Sequence, residues 1–201
     1  MRKIDEAKFA LKRQSILEAA GRCFGRDGFQ GASISSICAE AGVSPGHLYH
    51  YFASKDAIID GIVDNVLEHL TEQLAAVADR EDFVPALVAE IERAASDAEH
   101  GCPSKRLPLE MMAAARRSPA VAELFAYHSL RFRGVLSNVL RDAQSRGKVD
   151  PALDPDVAAT LLLSVMDGTE SFRLRDPELD PAVAFSMLTT MISRFLTPPR
   201  G

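Results

Sequence analysis

The sequence contains no tryptophan, only three tyrosines and only three cysteines in 201 residues. Cys23, Cys38 and Cys102 are an odd set without paired spacing. That excludes a disulfide framework and a zinc knuckle and points to a reducing, cytoplasmic setting. His100-Gly101-Cys102 supplies two potential ligands side by side, too few for a metal site, so no metal and no cofactor are expected. Long apolar runs are also missing. The longest, Ala158 to Met166, is interrupted by Thr160 and Ser164 and stops at Asp167. The start, MRKIDEAKFALKRQ, has no apolar leader core, so neither a membrane span nor export is expected. No nucleophile elbow or phosphate-binding glycine loop occurs, and catalysis is not expected. Positive charge is short as well: 23 Lys and Arg stand against 28 Asp and Glu, a net charge of −5. An average of that sign disfavours a polyphosphate partner.

What is present is helix. Hydrophobic residues make up 47% of the chain, and the apolar positions recur at three and four residues, with no sustained alternation of the kind strands need. A short polar residue followed by proline marks helix starts at Ser44-Pro45, Ser118-Pro119, Asp154-Pro155 and Asp180-Pro181. The polar side chain accepts from free first-turn amides, and proline has no amide to waste there. Gly28, Gly42 and Gly147 mark stops. The pattern predicts about nine helices, at 6–27, 33–40, 44–51, 54–79, 82–99, 104–116, 119–146, 155–174 and 181–196. Phe9, Ile16, Leu17, Ala20, Cys23 and Phe24 form the apolar stripe of the first.

The stretch 33–55, SISSICAEAGVSPGHLYHYFASK, has the proportions of a helix-turn-helix: two helices of seven or eight residues with Gly42 at the break. Ile34, Ile37, Val43, Leu48 and Phe52 form its inner seam, covered by the first helix. The opposite face of the second short helix carries Ser44, Pro45, Gly46, His47, Tyr49, His50 and Tyr51. Free amides and small residues at its start can approach base edges, while hydroxyls, imidazoles and Lys55 reach phosphates. The competing reading makes the aromatics core and the histidines a solvated face.

The run AGVSPGHLYHYFASKDAI, preceded by Arg13 to Ala20, Phe24, Gly28-Phe29 and Ser33-Ile34, resembles the DNA-binding domain of the tetracycline-repressor family over about residues 10–60. The resemblance implies an all-α homodimer. Residues 1–53 would form a three-helix DNA-binding domain, and 54–201 a larger helical domain for dimerisation and a small-molecule effector. By position, Ser33 and Lys55 correspond to phosphate contacts, Ser44, Pro45, Gly46 and His47 to the base-approaching turn, and Tyr49, His50 and Tyr51 to mixed contacts. Ala32 stands where threonine is frequent, and Cys38 replaces a usual alanine.

More weakly, Arg116-Arg117-Ser118-Pro119, the Asp150 to Pro155 segment and Asp167-Gly168 resemble regulators related to the choline-responsive repressor. No effector is transferred on that basis. Met111, Met112, Phe125, His128, Phe132 and Met166 are candidates for an effector cavity, and core packing accounts for each equally well. Asp167 and Glu170, close to an apolar helix, call for a cationic partner in Arg173 or Arg175. Small residues Ala158, Ala159, Ser164 and Gly168, with Ala182, Ala184, Met187 and Met191, suit an intersubunit helix bundle.

The function expected is a transcriptional repressor released from a near-palindromic, double-stranded DNA operator by a small effector. The alternative is a helical ligand-binding or dimerisation module without DNA readout. The net charge does not decide against the first, because residues 1–55 hold eight Lys and Arg against five Asp and Glu, about +3, leaving about −8 for the rest.

Overall fold

A computed structural model describes residues 6–99 and 107–199. His100 and Cys102 lie outside the described residues, as do the side chains of Glu170 and Arg173. Among the described residues every regular element is helical, in the order α1 (Glu6–Gly31), α2 (Ile34–Ala41), α3 (Pro45–Tyr51), α4 (Lys55–Ala78), α5 (Phe83–Glu99), α6 (Leu107–Ala115), α7 (Pro119–Ser145), α8 (Pro155–Gly168), α9 (Phe172–Arg175) and α10 (Pro181–Leu196).

The four proline-marked starts open helices at Pro45, Pro119, Pro155 and Pro181. Asp154 Oδ1 accepts from the amides of Asp156 (2.8 Å) and Val157 (3.1 Å), and Asp180 Oδ1 from that of Ala182 (2.9 Å). Each cap satisfies donors that the helix itself cannot.

Two expected spans differ. The helical backbone of the first helix is interrupted at Gly28, as the stop there predicts, but the element continues beyond it. It kinks there, at φ 71°, and runs one more turn to Gly31. The expected single helix over 155–174 breaks after Gly168 into a 3-10 turn, Thr169–Ser171, and the four-residue α9. Thr169 Oγ1 donates to the Met166 carbonyl (2.7 Å) and Ser171 Oγ to that of Gly168 (2.7 Å), so local hydroxyls hold the tighter turn. Of the pairs expected of Asp167 and Glu170 with Arg173 or Arg175, only Asp167 with Arg175 falls within the described side chains, and it does not form. Arg175 Nε donates instead to Ser171 Oγ (3.3 Å), and Asp167 has no ion pair among the described residues.

The chain divides into two compact units, residues 1–66 with 102–125 and residues 67–101 with 126–201. In the first, α1 carries the central packing. Ile16, Ala19, Ala20 and Cys23 are wholly buried and meet α2, whose Ile37 is wholly buried too. α6 also packs on α1. Gly61 of α4 brings its backbone so near α1 and α3 that a Cβ there would lie 2.9 Å from Leu17 Cδ2 and 3.1 Å from Phe52 Cε1. In the second unit, Phe83 and Leu87 of α5 share a core with Leu140 of α7, Ala159 of α8 and Ile192 and Leu196 of α10. Ala158 and Ala159, expected on an intersubunit face, belong to this inner core at 2% and 0% exposure. Arg146, paired with Asp142 (2.7 Å) and Asp79, ties the end of α7 to the end of α4. Among the described residues no helix is long and apolar enough to cross a membrane.

Candidate nucleic-acid interface

The two short helices of the first unit are too brief to persist by themselves, so their ends are secured locally. At α2 the Ser36 amide donates to Ser33 Oγ (3.0 Å) and the Ser33 amide to Ser36 Oγ (2.9 Å), a reciprocal capping box built from two serines. Gly42 ends α2 at φ 61°, and the Val43 amide closes back on the Cys38 carbonyl (3.0 Å). α3 begins with Ser44, whose Oγ accepts from the His47 amide (3.2 Å), and Pro45 follows as the first helical residue.

This fixes which side of α3 faces in. Leu48 is wholly buried and Phe52 nearly so, whereas Ser44, Pro45, Gly46, His47, Tyr49 and His50 are exposed and Tyr51 is half-buried. A Cβ at Gly46 would meet nothing within 4 Å, so the first turn of α3 offers an open, small surface. The competing reading of Tyr49 as core does not hold: its side chain is 53% exposed. Ser33 is exposed as well, with its hydroxyl 3.0 Å from Ser35 Oγ.

Behind this face the aromatic rings touch. Tyr51 lies 5.4 Å from His47, 5.3 Å from His50 and 4.6 Å from Phe9 of α1 (ring centroids). The apolar spacing of α1 assigns Phe9 to a core stripe. That its ring meets α3 has no local signal, because the partner is 42 positions away in the chain.

Lys55, expected to meet a phosphate, is turned partly inward. Its ammonium donates to the carbonyls of Phe29 and of Ala32 (2.7 Å) and stands 4.5 Å from the Phe29 ring centroid. Burial pushes its pKa down. With two protons given to carbonyls, one is left for an outside acceptor. Ala32, one of the two departures noted above, thus contributes a carbonyl and is itself buried. Cys38, the other, is buried, and burial pushes its thiol pKa up. Around the helix pair, Arg22 donates to Glu40 (2.8 Å), as does Arg26 (3.2 Å), holding the Glu40 carboxyl below its ordinary pKa.

The six effector-cavity candidates divide equally between the units. Met111 is buried, Met112 is 36% exposed and Phe125 is half-buried in the first; His128 is buried, and Phe132 and Met166 are half-buried in the second. The second unit also has two open grooves. One, of about 550 Å³, runs between α4 and α7 past Glu68, Thr71, Glu72 and Arg131; the other, of about 440 Å³, runs between α5 and α10 past Glu92, Thr189, Thr190 and Arg194. None of the six candidates lines either groove. Among the described residues no three His, Cys, Asp or Glu side chains gather where they could hold a metal ion.

Comparison with known proteins bears on both halves. Residues 16–62 match the model of the tetR family of bacterial regulatory proteins, and residues 102–197 match the C-terminal model of BetI-type transcriptional repressors. The HTH-type transcriptional regulator UidR of Escherichia coli K12 is 31% identical over 156 residues, which is 78% of each chain. The solved structure of Salmonella enterica GusR is 30% identical and matches at a TM-score of 0.70, over 92% of this chain and 95% of GusR. FadR from Bacillus subtilis, solved in complex with stearoyl-CoA, shares the fold at a TM-score of 0.72 and 17% identity, over 90% of this chain and 98% of FadR. The exposed, serine-capped α3 on a buried Leu48 therefore belongs to a known kind of molecule: the chain is a helix-turn-helix transcriptional regulator of the tetR family.

Proposed function

We propose that the chain acts in the cytoplasm as a homodimeric repressor. Its two α3 helices enter successive major grooves of a near-palindromic operator, and a small-molecule effector held by the C-terminal part releases them. The observation that carries the reading is the division of α3 between a wholly buried Leu48 and an exposed Pro45, Gly46, His47, Tyr49 and His50. Pro45, Gly46 and His47 would approach base edges, Tyr49 and His50 would reach bases or phosphates, and Ser33, Ser44 and the remaining proton of Lys55 would serve phosphates. Tyr51 would likewise reach bases or phosphates, and its ring would brace this face.

The dimer reading is supported by a second exposed face. Val157 and Leu161 on α8, and Val183, Met187 and Met191 on α10, stand at helical spacing and are 49–63% exposed. An apolar stripe of that length on a soluble chain suits a two-fold partner presenting the same stripe. The effector would be bound and released unchanged. It shifts the equilibrium only by preferring the dimer form whose heads do not match the operator spacing. His128, Phe132 and Met166 are the candidates for its contacts in the second unit, with Met111, Met112 and Phe125 those of the first.

The test is salt-dependent binding of the full chain to duplexes it selects from a random pool. Each phosphate met by a cation contributes about −0.9 to the log–log slope, so Lys55 alone gives about −1.8 for the dimer, and His47→Ala changes which bases are selected. A slope near zero, with unaltered behaviour on substitution of Tyr49 and His50, would instead favour a helical module that does not read DNA.

A further inference from the structure

α3 is a seven-residue helix whose first turn is held by the Ser44 cap and whose inner side is held by Leu48. Neither contact restrains the outward side chains of its last turn. Those chains are restrained from α1. The Phe9 ring lies on Tyr51 at 4.6 Å with the planes 31° apart, and meets His50 edge-on at 5.8 Å and 82°. Tyr51 in turn holds the edge of His50 at 5.3 Å and, one helical turn back, the ring of His47 at 5.4 Å. One turn further along α1, Lys12 Nζ donates to the Ala41 carbonyl (3.4 Å), so the beginning of α1 grips the ends of both short helices. Leu11, in the same stretch, is 72% exposed and takes no part.

We propose that Phe9 is a positioning residue for DNA readout: by stacking on Tyr51 it holds the His47 and His50 rings in the orientation that meets the operator. The inference rests on the assignment of α3 as the reading helix. Phe9 touches no base and no phosphate in this role; it acts through Tyr51. Side chains ordered before binding lose less rotamer freedom on binding, so the gain appears only where binding demands one geometry. Loose, sequence-independent attachment to phosphates does not demand it. Phe9 sits in the opening turns of α1, where helices fray, which makes readout dependent on that segment being folded.

The experiment measures the affinity of the full chain for a duplex selected by the native protein and for poly(dI-dC), and takes their ratio. Phe9→Leu keeps apolar bulk and removes the ring. It is expected to lower the ratio about 3- to 10-fold, the range of one aromatic pair, with poly(dI-dC) affinity unchanged and the melting temperature lowered by only a few degrees. Phe9→Tyr restores the ratio. In a Tyr51→Leu background, Phe9→Leu costs less, because only its edge contact with His50 is left to lose.

The proposal is overturned if Phe9→Leu leaves the ratio unchanged while Tyr51→Leu lowers it, or if Phe9→Leu costs the same with and without Tyr51. A loss matched by an equal fall in poly(dI-dC) affinity overturns it too. If Tyr51→Leu itself has no effect the inference falls. His47→Ala then decides whether the assignment of α3 as the reading helix falls with it.

Discussion

The ammonium of Lys55 donates to the carbonyl oxygen of Ala32 at 2.7 Å, joining the start of α4 to the segment that leads into α2. With Phe29 as its second acceptor, Lys55 satisfies two carbonyls between α1 and α2. Lys55→Met is therefore expected to lower stability by about 1–3 kcal/mol, the range for bonds to a charged donor, in urea denaturation. Its third proton remains for a phosphate, so the salt slope of DNA binding should fall in magnitude by about 0.9 per subunit. Unchanged stability would show that the two carbonyl bonds contribute nothing net.

Gly28 and Gly42 both hold positive φ, at 71° and 61°, and any other residue there is strained. Their surroundings differ. A Cβ at Gly42 meets nothing within 4 Å, whereas one at Gly28 lies 2.8 Å from Glu110 Oε2 of α6. Gly42→Ala should cost about 1–2 kcal/mol from the backbone alone. Gly28→Ala should cost more, because φ 71° with ψ 171° is a region that only glycine populates, and Glu110→Ala in its background should recover little, since the Glu110 carboxylate can swing away. Thermal melting of the four variants checks both.

Two carboxyls should bend the pH dependence of stability in opposite senses. Glu40, hydrogen-bonded first by Arg22 and then by Arg26, is held below its ordinary value of 4.5. Its contribution is present above that value and is lost as pH falls through the lower folded pKa. Glu40→Gln should thus be less stable than native at pH 7 and indistinguishable from it in strong acid. Asp167 is pushed above its ordinary value of 3.8 by burial. The unfolded chain ionises first, so stability falls as pH rises from 3.8 through the folded pKa, and the full penalty stands at neutral pH. Asp167→Asn should raise the melting temperature at pH 7 and have no effect in strong acid. Denaturation of each variant from pH 2 to 7 reads both signs.

Met187 is 63% exposed at the middle of the α10 stripe. Met187→Glu places a charge where the proposed dimer buries apolar surface, and should yield a monomer by sedimentation while the melting temperature changes little. With each subunit of the proposed dimer reading half an operator, the monomer should bind a selected duplex at least about a hundredfold more weakly. A Met187→Glu variant that remains dimeric would move the interface elsewhere.

Capping made much of this legible in advance. Ser44-Pro45, Asp154-Pro155 and Asp180-Pro181 mark helix starts because the chemistry that begins a helix is local, and the helix-turn-helix could be placed for the same reason. The α8 break after Gly168 was not legible, since the apolar pattern continues through it and only hydroxyl bonds of Thr169 and Ser171 tighten the turn. Lys55 shows another limit. A lysine at a helix start reads as a surface charge, and its turn toward Phe29 and Ala32 depends on where the end of α1 comes to rest. Ala158 and Ala159 show a third, for small residues suit an inner core and an interface alike, and only the burial of each side of α8 separates them.

Leu48 and Tyr49 are neighbours in sequence, one wholly buried and the other 53% exposed. The residue that buries α3 is therefore not among those proposed to choose the operator at Gly46, His47, Tyr49 and His50. Exchanges at Gly46, His47, Tyr49 or His50 leave Leu48 and its packing in place. A lineage carrying this scaffold can drift toward new target promoters by surface substitution while the buried anchor stays as it is, and a duplicated copy is free to acquire a separate regulon.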